Sequence, residues 1–135
     1  MAVAPSINTR YAFPAMEWFV VKCQGREIGT VAFSPQFWFR LKGLLGRNHL
    51  PEGEGILLAP CNSIHMFFMR FPIDAIFLDR DDRIVAIYPD IRPWQMSGLH
   101  PSARKVLEFP AGTAARHKLA KGSSLHLARL EKASR

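Results

Sequence analysis

Few residues in this chain have both the chemistry and the surroundings to do more than pack. Asp74 lies in Ile73-Asp74-Ala75-Ile76-Phe77-Leu78-Asp79, where strand alternation places it on the face of Ile76 and Leu78. A carboxylate among such neighbours either faces a pocket or is met by backbone N–H groups or an arginine, because an unpaired buried charge costs several kcal/mol. The structural tie is the expected role. His65 alternates with Ile64 and Met66, sharing a face with Phe67 and Met69. It is the best proton-transfer group in the chain, although a histidine among apolar residues is more often satisfied within the core. Cys61 precedes it by four residues, about 13 Å along an extended strand, so a Cys–His nucleophile pair requires a loop that folds back.

Arg47 follows Gly46 at an expected helix end, where a cation suits the dipole. Its functional alternative is a bidentate clamp on a carboxylate, either a ligand's or the protein's own Asp74 or Glu108. Glu108, within Val106-Leu107-Glu108-Phe109, is flanked by strand apolars and expected to be partly buried. Gly112-Thr113 opens a short helical stretch whose N–H groups could hold an anion, with capping by Thr113 as the ordinary explanation. Met66, Met69 and Met96 with Trp94 either fill the core or line an adaptable apolar groove. There is no C-x-x-C or H-x-x-x-H spacing and the five histidines are scattered, so no zinc site and no cofactor is expected.

The elements that must carry these residues follow from the chain pattern. Residues 1–16 read as an irregular arm, and 17–131 as a single β domain. Glu17–Cys23 and Arg26–Phe33 form a hairpin about Gln24-Gly25. Ser34-Pro35 starts a helix that runs to about Gly46, with Phe37, Leu41, Leu44 and Leu45 on one stripe. Further strands are expected at Ile56–Ala59, Ile64–Arg70, Ile73–Asp79, Arg83–Tyr88, Arg104–Phe109 and Ser124–Leu130. A turn is expected at Asp79-Arg80-Asp81-Asp82, a long loop over Tyr88–Pro101, and a short helix at about 111–119. The fold class is mostly β (all-β or α+β): an antiparallel β-sandwich or small barrel, jelly-roll-like, with one main helix.

The 135 residues, 48% of them hydrophobic, suit one globular domain and exclude a disordered chain. Ile64–Leu78 is interrupted by Arg70 and Asp74, too short a run to span a bilayer as a helix, and no secretory signal is read at the N-terminus. Two cysteines, expected reduced and unbridged, fit a cytoplasmic setting. The net charge of +7 is uneven: residues 1–103 carry ten basic and nine acidic groups, residues 104–135 eight and two. No aromatics interleave with those cations, so a solvated basic face is preferred to a nucleic-acid surface.

Four segments in order carry a likeness to a known family. They are Leu41-Lys42-Gly43-Leu44-Leu45-Gly46-Arg47, then Gly53-Glu54-Gly55, then Ile64-His65-Met66-Phe67-Phe68-Met69 with Phe71-Pro72-Ile73-Asp74, then Val106-Leu107-Glu108-Phe109-Pro110-Ala111-Gly112. The chain resembles the bacterial and archaeal family catalogued as domain of unknown function 192, from about Gly29 to Leu127. One departure is Asp82, which stands where the family's Asp-x-Asp-Gly turn has glycine. The resemblance implies a mostly antiparallel β fold with a helix after the first hairpin, and no established activity.

The expected function is a non-catalytic module that binds a small molecule or protein along a groove roofed by the loop Tyr88–Pro101, with Arg47, His65, Asp74 and Glu108 as candidate binding residues. The alternative is a hydrolase or lyase using His65 with Asp74 or Glu108 as acid and base. It requires those groups to converge on one cavity. Non-specific nucleic-acid binding through the basic C-terminal third ranks last, and no membrane partner is expected.

Overall fold

The structure, a computed structural model, describes residues 17–33, 49–67 and 69–130. The expected main helix over 34–46 and the arm 1–16 lie outside the described residues. Seven strands and one short helix make up the rest: β1 (Glu17–Cys23), β2 (Arg26–Phe33), β3 (Glu54–Leu58), β4 (Ile73–Leu78), β5 (Ile84–Ile91), β6 (Lys105–Pro110), α1 (Thr113–Arg116) and β7 (Leu125–Arg129). They form one sheet in the order β5-β4-β6-β3-β2-β1-β7. Every pairing is antiparallel except β2 with β3.

Of the sandwich and the small barrel, the fold takes the second form: a single sheet curled into a half-barrel whose two edges touch at one end. Arg83 and Ser124 form an isolated bridge there, the Ile84 N–H donates to the Ser123 carbonyl at 2.8 Å, and the Leu125 N–H donates to the Asp82 carbonyl at 2.9 Å.

The hairpins are made by residues that accept left-handed backbone. Gln24 and Gly25 have φ of 52° and 79°, the positive pair a two-residue turn needs to match the strands' twist. At the β4–β5 turn, Asp79 Oδ1 accepts the Asp81 and Arg83 N–H groups at 2.9 and 3.0 Å, and Asp82 has φ 60°. Asp82 thus adopts, as a short polar residue can, the conformation that glycine would take at this position.

The sheet's inner face packs Val21, Ile28, Val31, Leu57, Ile76, Leu78, Leu107 and Phe109 into one core. The outer face buries Ile73, Ala75, Phe77 and Val106 beneath Ile64, Met66, Met69, Phe71 and Ala103. All six residues of β4 are consequently buried. This alternation between two cores explains its near-continuous apolar sequence.

Three boundaries differ from expectation. The expected strand Ile64–Arg70 is not seen in its described residues, 64–67 and 69–70; among them only His65 is paired, by a single bridge to Met96. Its apolar side chains act as a lid on the outer core, which period-two alternation alone does not distinguish from a sheet strand. β5 runs on to Ile91, so the long loop begins at 92. Pro89 is accommodated because β5 is an edge strand and its ladder with β4 is irregular between Ile73 and Ala75. The second helix is shorter than the expected 111–119, spanning Thr113–Arg116.

Candidate functional site

Asp74 faces inward, as strand alternation requires, and is 1% exposed. Its Oδ1 accepts the Asp90 N–H at 2.8 Å, and its Oδ2 accepts the N–H groups of Gly112 at 3.1 Å and Ala114 at 2.8 Å. The carboxylate therefore caps α1 from another strand. Gly112, at the N-cap position, offers no side chain, and the Thr113 hydroxyl donates instead to the Pro110 carbonyl at 2.6 Å. The N–H groups that could have received an external anion are filled by the protein's own. Charge-assisted bonds of this kind are stronger than neutral ones, which suits a residue that ties β4 to β5 and α1.

Glu108 is buried on the opposite face. It stands across from Ile56 on β3 and Ala75 on β4, whereas Asp74 stands across from Phe109. Glu54, likewise buried, shares the outer face one diagonal step away on β3. Arg47 lies outside the described residues.

His65 is exposed. Its Nδ1 accepts the Phe67 N–H at 3.4 Å, a long contact, and its ring centroid lies 4.8 Å from that of Phe67. Phe67 in turn stacks on Trp94 at 5.8 Å and 28°. The bridge to Met96 brings a methionine across from His65, and Trp94, Met96 and Leu99 are 59%, 64% and 67% exposed. His65, Asp74 and Glu108 thus occupy a surface patch, the inner core and the outer core; they do not converge. Cys61 is directed elsewhere, its thiol donating to the Ser63 carbonyl at 3.1 Å. Neither Cys23 nor Cys61 is in a disulfide; the first lies in the inner core and the second against the outer one. Among the described residues no group of three His, Cys, Asp or Glu could hold a metal ion.

Sequence reasoning missed a pair that anchors the 92–104 loop. Tyr88 Oη and His100 Nε2 are 2.7 Å apart, and the Gly98 N–H donates to Tyr88 Oη at 2.9 Å. Both rings lean on Phe77, at 5.5 and 4.7 Å. Tyr88, the end of the expected strand but inside β5, and His100 in a Pro-rich loop carried no periodic signal that would join them.

The basic excess is partly neutralised in place. Lys105 pairs with Asp82 at 2.6 Å, Arg116 with Glu52 at 3.4 Å and Arg129 with Glu17 at 3.0 Å. No helix among the described residues is long and apolar enough to cross a membrane.

Comparison with known proteins fits this architecture. The profile of DUF192, described as "Uncharacterized ACR, COG1430", matches residues 19–127. A UPF0127 protein of Pyrococcus abyssi is 34% identical over 89 residues, covering 62% of this chain and 74% of its own. One from Pyrococcus horikoshii is 33% identical over 89 residues, covering 62% and 75%. Among solved structures, a protein of unknown function from Novosphingobium aromaticivorans superposes with a TM-score of 0.66 at 22% identity, covering 93% of this chain and 94% of that one. A Sinorhizobium meliloti structure, provisionally described as a transcription regulator, gives 0.65 at 23% identity, covering 84% and 94%. At that identity the two structures show a shared fold.

Proposed function

The chain belongs to the DUF192 family, described as uncharacterised, and from that starting point we propose that it is a binding module that does not turn its ligand over. Its contact surface is the ribbon of residues 64–67 and 92–99. One observation carries this reading: Trp94, Met96 and Leu99 are the large hydrophobic residues left exposed among those described, and they lie on one loop beside His65 and Phe67. Apolar surface gathered in one place marks a site of contact more often than the same residues scattered singly. The loop is also held rather than loose. The Trp94 N–H donates to the Met66 carbonyl at 2.8 Å, the Met66 N–H to the Gln95 carbonyl at 2.8 Å and the Ser97 N–H to the Ile64 carbonyl at 2.9 Å. A pre-positioned surface loses less entropy on binding.

The acid–base alternative has less support. The Asp74 oxygens already accept three N–H groups, and Glu108 is buried beneath the outer layer. Non-specific nucleic-acid binding would have to use cations of which several already have carboxylate partners. A cytoplasmic setting, with both cysteines reduced and unbridged, belongs to the same proposal.

The test is amide NMR of the full chain titrated with the apolar fluorophore 1-anilinonaphthalene-8-sulfonate. Shifts should cluster on residues 64–67 and 92–99 and weaken in Trp94→Ser and Leu99→Ser, with thermal stability nearly unchanged. Shifts centred on the barrel interior around Asp74, or none at all, would overturn the reading.

A further inference from the structure

Resting on the reading of this ribbon as a binding surface, we propose that it holds a soft monovalent metal ion, copper(I) or silver(I), between the His65 imidazole and the Met96 thioether, beside the rings of Phe67 and Trp94. The register supplies the geometry. The bonds Ser97 N–H to Ile64 carbonyl and Met66 N–H to Gln95 carbonyl flank the His65–Met96 bridge on both sides. His65 and Met96 are therefore the non-hydrogen-bonded position of a short antiparallel ribbon. At that position opposite residues approach most closely, with Cα atoms about 4.5 Å apart and both side chains on one face.

Both residues are exposed, Met96 by 64%, so neither is placed there to fill a core. Phe67 lies 4.8 Å from the His65 ring and 5.8 Å from the Trp94 ring, which sets aromatic faces beside the pair. Trp94 has φ 72°, a left-handed backbone that a bulky residue adopts at a cost. The Trp94 and Gln95 N–H bonds to the Met66 and Arg92 carbonyls, with the Gln95 Oε1 accepting the Arg92 N–H, hold it in that conformation. A strained turn here spends stability to keep an indole at the surface.

The donor set defines the ion. A thioether binds hard cations poorly and copper(I) or silver(I) well; imidazole is the natural second donor. Aromatic faces stabilise a nearby cation electrostatically, most of all indole. The array has no carboxylate or thiol, the donors that would direct it toward calcium or zinc. Ligation takes one ring-nitrogen lone pair, and the 3.4 Å contact from the Phe67 N–H to Nδ1 is a weak bond to give up.

Silver(I) in chloride-free buffer is the probe, used with the full chain carrying Cys61→Ser so that the half-buried thiol does not compete. One equivalent should shift the Met96 methyl and His65 ring resonances together and quench Trp94 emission. Met96→Leu and His65→Gln should each weaken binding at least about tenfold, with melting temperatures unchanged. Met69→Leu, in the buried layer, should not alter affinity, and zinc(II) should not shift the Met96 methyl. Unshifted Met96 and His65 resonances, or a Met96→Leu variant that binds as tightly as its parent, would overturn the proposal. If silver(I) fails while the anilinonaphthalene probe still maps to residues 64–67 and 92–99, the metal site is wrong and the binding surface stands. If neither shifts that ribbon, both fall.

Discussion

At Asp74 three N–H groups converge on two carboxylate oxygens, and an asparagine there would turn an NH2 toward donors. Asp74→Asn should therefore cost roughly 2–3 kcal/mol, the scale of a charged hydrogen-bonded group losing its match, measured by urea denaturation. Probe binding at residues 92–99 should be unaffected. The Asp74 result was legible from period-two alternation and the cost of an unpaired charge. Its partners were not, since they come from residues 90, 112 and 114, whose proximity only the fold creates. Asp79 offers a pH test. Its carboxyl is held below the ordinary 3.8, chiefly by the Arg83 N–H; desolvation, the next largest effect, opposes this, and the Asp81 N–H and the charges of Arg83 and Arg80 add to the lowering. A carboxyl lowered on folding stabilises fully above its unfolded value, and that contribution is lost as the pH falls through the folded one. The stability gap between wild type and Asp79→Asn should be present at pH 6 and close below pH 3.8; a gap constant with pH would show that the charge is irrelevant to the turn.

Among the elements, the inner core is shaped as much by missing side chains as by present ones. A Cβ on Gly55 would meet the Glu108 carbonyl and the Phe109 ring, the latter at 2.9 Å, and one on Gly29 would meet the same ring at 2.8 Å. Phe109 fits because two neighbouring strands leave room for it. Gly55→Ala should lower stability by about 2–3 kcal/mol, an overpacking cost against backbone that cannot yield, seen as a drop in the urea midpoint. The first hairpin and the 79–82 turn were readable because their constraints are local: Gln24-Gly25 and a run of short carboxylates admit few other conformations. The lid made by Ile64, Met66 and Met69 was not, because these apolar residues satisfy a strand pattern while their neighbours come from 92–104. The Tyr88–His100 bond likewise depends on a loop path that no local rule dictates.

For the whole molecule, β4 joins the two cores: Ile76 belongs to the inner one and Phe77 to the outer, both wholly buried. Unfolding should consequently be one transition. Ile76→Ala and Phe77→Ala should each cost about 3–5 kcal/mol and shift the circular dichroism and tryptophan fluorescence curves together; curves that separate in either variant would mean that the cores melt independently. The sheet order adds a consequence in time. β1 has two neighbours, β2 immediately after it and β7 about a hundred residues later, a separation of the kind that slows folding. During synthesis β7 is also the strand that brings Leu125 to Asp82. Until it leaves the ribosome, β1 has an open flank and the half-barrel has no point of closure. A nascent chain halted before Leu125 is a template for any other unfinished strand nearby, so the interval in which this fold most needs a chaperone runs from the emergence of β6 to that of β7.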